Sequence, residues 1–278
     1  MKRIFFITSL LLSTTAGIAQ AADMEYPVNP QPAYTNVEYG SGWYLRGDIG
    51  YAKAESTLSY YSDARYDYDN QSVGDSSSWS IGFGYNFNDM LRADLTYETS
   101  DGHDWNGTSV GTICGGGAFP GDCYSEDSAN FDRDSLMANA YVSLGNYHGF
   151  SPYVGAGIGV THVQWNNYNS NAFCTVAIGE TCDYGAHSGV GVEDETYFGG
   201  ATTYNTQSTT ALTYALTTGF DYRIDDNWVL DMGYKWTAID GGVVIAADTN
   251  GIGAPQGDSN FDMIHIHEVK FGVRYEVW

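Results

Sequence analysis

Trp43-Tyr44-Leu45-Arg46-Gly47-Asp48-Ile49-Gly50-Tyr51 is the stretch that decides the fold. Trp43, Leu45, Ile49 and Tyr51 share one parity, and Arg46, Asp48 and Gly50 share the other. Successive side chains of a β-strand point to opposite faces, so a period of two predicts a strand with one apolar and one polar face. Seven further stretches repeat the pattern, around Trp79–Phe87, Leu91–Glu98, Leu136–Leu144, Val154–Val160, Leu212–Arg223, Trp228–Trp236 and Glu268–Val277.

The connections alternate in length. Asn88-Asp89-Met90, Gly145 to Ser151 and Asp225-Asp226-Asn227 read as tight turns. Between them lie long excursions at Thr57–Asp75, Ser100–Arg133, Trp165–Thr206 and Gly241–Asp262. Short turns on one rim and long loops on the other describe an all-β, eight-stranded antiparallel transmembrane β-barrel with periplasmic turns and extracellular loops. The longest excursion has room for another hairpin, but Phe173–Asp183 lacks clean alternation, so eight is the expected count.

Upstream, Lys2 and Arg3 precede an apolar run, Ile4–Leu12, and an Ala19-Gln20-Ala21 site. This is the pattern of a secretory signal peptide, 1–21, with cleavage after Ala21. Residues 22–41 read as a periplasmic lead-in, and 42–278 as the barrel. Later apolar stretches are interrupted by Gly, Asp, Asn or Ser, and the mean hydropathy is −0.29. With no apolar helix of spanning length, a closed barrel is what satisfies the backbone in lipid.

Charge narrows the function. Without Lys2 and Arg3, nine basic residues stand against 34 acidic ones, a net charge of −25. Such a chain is unsuited to nucleic acid, whose binding requires basic side chains to displace counterions. The strand faces sort these charges. Six bases (Arg46, Arg92, Arg223, Lys235, Lys270, Arg274) and seven acids (Asp48, Asp94, Glu98, Asp221, Asp231, Glu268, Glu276) share the polar parity. Near balance suits an enclosed lining, because an unpaired buried charge is strongly destabilising. An eight-stranded bore is only wide enough for side chains to fill, and the apolar parity carries too many large residues to fit inside. The Gly-, Ser- and Thr-rich parity therefore faces inward. Aromatic residues at the short-turn ends, including Trp43, Phe87, Tyr222, Trp228 and Tyr275, match an interfacial girdle. A soluble lipocalin-like barrel would invert these faces.

The Trp43–Tyr51 strand resembles the opening strand of the small outer-membrane β-barrel (OmpA-like, opacity-protein) family of Gram-negative bacteria, with an α-proteobacterial flavour. So do the Ala21-Ala22-Asp23 mature start and the Val269-Lys270-Phe271-Gly272-Val273-Arg274-Tyr275 closing strand. The resemblance implies an abundant surface component with structural, adhesive or immune-facing roles, and for some members porin-like behaviour. It carries over no catalytic residues.

Chemistry elsewhere is sparse. His265-x-His267-Glu268 is the cluster to test for hydrolase or lipid A-modifying activity, but both histidines share the lipid-facing parity. Asp67-x-Asp69, Asp132-x-Asp134 and Glu193-Asp194-Glu195 could attract divalent cations, yet none completes a twelve-residue Ca²⁺ loop. A solvated acidic surface is the expectation. Cys114 with Cys123 and Cys174 with Cys182 form two close pairs without Cys-x-x-Cys spacing, so local disulfides in an oxidising compartment are expected. The sequence thus assigns no catalytic, cofactor or metal residue and no cofactor. The expected partners are outer-membrane lipid and lipopolysaccharide, bridged by divalent cations, the barrel-assembly machinery, and an unidentified extracellular ligand. A filled structural barrel and a small channel remain as competing readings. Trp278 shares parity with Glu276 and Arg274 rather than with Val277 and Tyr275, which predicts a terminal bulge or a position just past the strand.

Overall fold

The computed structural model describes residues 42–61, 65–110, 122–176, 181–184, 187–190, 195–245 and 259–277. The expected leader and lead-in, and the register of Trp278, lie outside the described residues. So do Cys114 and the side chains of Cys123, Cys174 and Cys182.

Eight antiparallel strands close into a ring: β1 (Trp43–Glu55), β2 (Asp75–Asn86), β3 (Leu91–Val110), β4 (Asp122–Ser143), β5 (Phe150–Val176), β6 (Ser208–Arg223), β7 (Trp228–Ile239) and β8 (Ile264–Glu276). Each pairs with its sequence neighbours. β8 returns to β1, with Leu45 opposite Tyr275 and Tyr51 opposite Val269. Closure leaves no edge within the lipid, as the backbone requires there. The three expected turns are present. At two of them an Asx side chain accepts backbone N–H groups, Asn88 from Leu91 at 2.8 Å and Asp225 from Trp228 at 2.8 Å.

The apolar parity faces outward, with Leu45, Ile49, Phe83, Ile158, Leu216 and Phe271 all exposed. The girdle residues Trp43, Phe87, Tyr222, Trp228 and Tyr275 are exposed beside the short turns.

All four expected loops are corrected: Thr57–Asp75 holds the short strands Leu58–Tyr61, Arg65–Asp67 and Asp69–Val73, and Gly241–Asp262 holds Gly242–Ile245 and Ser259–Phe261. β3, β4 and β5 run for 20, 22 and 27 residues, whereas crossing a bilayer takes about 9–11 tilted residues. Much of Ser100–Arg133 and Trp165–Thr206 is therefore strand that continues beyond the lipid. Prolonging the ladder gives those backbone groups partners that an irregular loop would have to seek elsewhere. A further strand, Glu195–Tyr204, pairs with the upper part of β5, and Asp69–Val73 pairs with the upper part of β3. Thr181–Tyr184 and His187–Val190 form a hairpin outside the ring.

Where β3 leaves the lipid its register shifts between Ser100 and His103, at Gly102 with φ +75°. On β5 the pairing with β4 shifts near Asn167, whose φ is 51°. Gly adopts this region freely, and Asn is among the few other residues that do. Each bulge reverses the inward parity. Arg92, Asp94, Thr96 and Glu98 face inward below the shift on β3, and His103 and Trp105 above it.

Candidate functional site

The barrel interior is the most elaborated polar region among the described residues. Period two aims Arg46 and Asp48 from β1, Arg92, Asp94 and Glu98 from β3, Asp221 from β6, Asp231 and Lys235 from β7, and Glu268, Lys270, Arg274 and Glu276 from β8 into one bore. Near the short turns, Arg46 binds Asp48 at 2.7 Å and Asp94 at 3.0 Å, and donates to the Tyr141 hydroxyl at 3.2 Å. Arg92 pairs with Asp221 at 2.6 Å, and its guanidinium carbon lies 4.6 and 4.5 Å from the ring centroids of Tyr141 and Tyr153. Arg274 also reaches Asp221, at 3.2 Å, and Tyr153 donates to Asp231 at 2.9 Å.

Higher in the bore, Glu98 accepts from Arg133 at 2.7 Å, from Lys235 at 2.8 Å and from Lys270 at 2.6 Å. Lys270 donates to Ser80 at 3.1 Å, and Ser78 donates to Glu268. Arg133 corrects the sequence reading, which placed it at the end of a loop; it is fully buried in the lining. With it, seven bases face seven acids. Arg223 sits at the open rim, half-exposed and paired with Glu276 at 2.7 Å.

The glycines on this parity make room for the network. A Cβ at Gly272 would overlap the Asp48 carboxylate, and one at Gly50 would overlap Glu268 and Ser78. The space left between Arg46, Asp48, Tyr141, Asp231 and Lys270 is a cavity of about 20 Å³, enough for roughly one water molecule.

Above the network the interior changes character, which alternation alone did not predict. Trp105, Phe131, Trp165, Tyr168, Phe261 and Ile264 are almost completely buried in one apolar cluster. Phe131 and Trp165 lie 4.8 Å apart, and Trp165 and Phe261 5.9 Å apart. Leu58, Val244 and Ile245 join from the first and last excursions. The cluster was missed because its aromatic residues lie in segments read as loops, and for Trp105 and Tyr168 a bulge also reverses the inward parity. Gly102 and Asn167, residues able to adopt left-handed backbone, were the available signals.

The His265-x-His267-Glu268 cluster is split by the barrel wall. Glu268 faces inward, while His265 stacks on Trp236 at 5.6 Å and His267 meets the Tyr234 hydroxyl on the outward face. The strand's period of two separates them. The structure instead brings Ser100 Oγ to 3.0 Å from His103 Nε2, while His103 Nδ1 lies 3.2 Å from the Gly74 carbonyl oxygen. Both residues are buried, and among the described residues the imidazole's hydrogen-bond partners are this hydroxyl and carbonyl rather than a carboxylate. His103 lies above the lipid-facing segment. Burial, with Arg133 nearby, lowers its pKa to about 4.

Among the acidic motifs, Asp132 accepts from Gly102 N–H at 2.8 Å and from Asn166 at 3.0 Å. Asp134 accepts from Tyr97 at 2.6 Å. The side chains of Asp67 and Glu195, and the whole of Glu193 and Asp194, lie outside the described residues. Among the described residues, no group of three or more His, Cys, Asp or Glu residues is placed to hold a metal ion.

The outer membrane protein beta-barrel domain family matches residues 8–276. An uncharacterized protein of Brucella suis biovar 1 (strain 1330) is 30% identical, with 95% of each chain covered. A Rickettsia bellii (strain OSU 85-389) protein described as a "putative adhesin" is 26% identical over 84% of this chain and 88% of its own. Among solved structures, Neisserial surface protein A is similar with a TM-score of 0.45 and 19% identity, covering 85% of this chain and 98% of that one. OprG of Pseudomonas aeruginosa is similar with a TM-score of 0.46 and 15% identity, covering 86% and 98%.

Proposed function

The chain belongs to the outer membrane protein beta-barrel domain family and is an outer-membrane surface protein, and from that premise we propose that it is a structural and surface-interaction barrel rather than a channel or an enzyme. One observation carries this reading: Glu98 is bridged across the bore to Lys235 and Lys270, directly beneath the buried aromatic cluster. Ions would have to break the bridges and then pass a dry plug of Trp, Phe and Ile. The surface role rests on charge. Among the described side chains on and beyond the strands leaving the lipid, Glu55, Asp69, Asp75, Asp101, Asp104, Glu126 and Asp262 are exposed, against one exposed base, Lys53. The similarity to a Rickettsia protein described as a "putative adhesin" supports the same reading.

Planar-bilayer recording of the refolded protein tests it. Electrical silence is expected. Reproducible conductance steps would favour the porin-like alternative. A lipid A-modifying activity abolished by His267→Ala would overturn the non-enzymatic reading.

Two finer features belong to the proposal. Glu55, Asp75 and Asp101 are exposed on strands leaving the lipid, so contact with lipopolysaccharide phosphates would pass through divalent cations; chelation should then lower the melting temperature in lipopolysaccharide-containing vesicles. The cysteines are proposed to close locally, as Cys114–Cys123 and Cys174–Cys182. The backbone register also sets Cys123 opposite Cys174, so a Cys123–Cys174 peptide in a non-reducing digest would refute local closure.

A further inference from the structure

The sheet that β3, β4 and β5 raise beyond the lipid has two unlike faces. Its inward face carries Trp105, Phe131 and Trp165 of the aromatic plug. Its outward face continues the lipid-facing wall, and the change of chemistry there is abrupt. Tyr97, Leu136, Val160 and Leu212 lie in register across β3 to β6 and are all exposed. One step further out, Asp134, His162 and Thr210 form the next outward row. Higher still, Ser72, Asn106, Ser128, Asn169 and Thr203 stand opposite one another on five adjacent strands, from Asp69–Val73 through β3, β4 and β5 to Glu195–Tyr204. All five are exposed or half-exposed.

These polar side chains are tied to one another rather than loose. Asn167 donates to Asn130 at 2.9 Å, Asn166 to Asp132 at 3.0 Å, Gln164 to Asn166 at 3.3 Å, and Thr203 to Asn169 at 2.7 Å. A carboxamide offers two donor hydrogens and an oxygen with two lone pairs, so one bond fixes an amide and leaves it capacity for others. The plug packed behind holds the sheet itself in place. Groups fixed before binding cost less to order when a ligand arrives.

Height selects the occupant. The polar face begins one residue pair above the lipid belt, in the layer where the lipopolysaccharide of an outer leaflet carries its sugars. A saccharide presents closely spaced hydroxyls, each both donor and acceptor, which suit a flat array of amides, hydroxyls and carboxylates. A bare phosphate suits it poorly, because Lys53 is the one exposed base among the described side chains on the strands leaving the lipid. We infer that the outward face of β3 to β5 above the lipid is a docking surface for the sugar headgroups of the glycolipid around the barrel. The inference rests on the outer-membrane surface reading and adds to it a contact that needs no divalent cation.

The test uses the full refolded barrel in bilayers mixing phosphatidylcholine with digalactosyl diacylglycerol, an uncharged glycolipid, with chelator present throughout. Native mass spectrometry counts the glycolipid retained on the released barrel, and nuclear Overhauser contacts locate it. Glycolipid should be retained in preference to phosphatidylcholine, with contacts from the side-chain amides of Asn106, Asn130 and Asn169 to galactose ring protons. Asn106→Ala combined with Asn130→Ala should cut retention at least about tenfold, the scale of one net hydrogen bond, without lowering the barrel's melting temperature. The contacts in the unsubstituted barrel decide the matter even where that variant fails to refold. Retention indifferent to the headgroup, or sugar contacts confined to other segments, would overturn the docking face. So would digalactose in solution binding as tightly as the glycolipid, or retention that needs anionic lipid and Ca²⁺. Each of these results defeats this inference alone, whereas the silent, structural reading of the barrel falls to conductance steps.

Discussion

Lys235 on β7 donates to Glu98 on β3 at 2.8 Å, although the two strands stand four places apart in a ring of eight, on opposite walls. The bond spans the bore. Lys270 at 2.6 Å and Arg133 at 2.7 Å share the same carboxylate, so one acid ties β3 to β4, β7 and β8. Glu98 is consequently the residue whose loss should matter most to the interior.

Glu98→Gln leaves three buried cations facing a neutral amide. Removing one partner of a buried ion pair costs about 3–5 kcal/mol. The variant should unfold at lower urea concentration in lipid vesicles by a corresponding amount, and a wild-type midpoint would refute the hub.

Gly272 faces the Asp48 carboxylate, where a Cβ would overlap an oxygen. Gly272→Val should displace Asp48 from Arg46 and destabilise the barrel by about 1–3 kcal/mol, the range for overpacking. Gly47→Val provides the contrast, because a Cβ there meets nothing nearer than the Ser80 carbonyl oxygen at 3.9 Å. Equal melting temperatures for the two variants would contradict the packing described.

His103 gives the extracellular extension a pH dependence of defined sign. Burial lowers its pKa to about 4, below the ordinary value of 6.5. As pH falls, the unfolded segment takes up a proton before the folded one does. Stability present above about pH 6.5 is thus lost progressively toward pH 4, by up to about 3 kcal/mol. Amide exchange in 100–110 and 124–133 should accelerate over that window, and His103→Gln should flatten the change. Acceleration of the same size in the variant would exclude His103 as its source.

Asp127 acts in the opposite sense. It is buried beyond the lipid with no cationic partner among the described residues, accepting from Ser125 at 2.5 Å and facing the hydroxyls of Ser170 and Tyr168. Burial raises its pKa above the ordinary carboxylate value despite those hydrogen bonds. A raised folded-state pKa contributes stability below the unfolded value that is lost as pH rises through the folded one. Asp127→Asn should therefore make the extension more resistant to proteolysis at pH 7. Lower resistance would show that the ionised form is the stabilising one.

Much of this molecule was legible before any coordinates. Alternation from Trp43 to Tyr51 and its seven repeats determined the eight strands, their outward apolar face and the enclosed, nearly balanced charges, because a strand's period of two is a local property of the backbone. The short turns were equally local. Only the tertiary structure decided how those charges pair, since Glu98 and Lys235 are 137 residues apart and meet only when the ring closes. It also placed Arg133 in the lining and separated Glu268 from His265 and His267 across the wall. The aromatic plug was hidden for a physical reason. Bulges at Gly102 and near Asn167 reverse the inward parity, so Trp105 and Tyr168 turn inward in segments whose sequences read as loops. Where strands continue past the lipid, cross-strand partners set the register, and those partners are supplied by the fold.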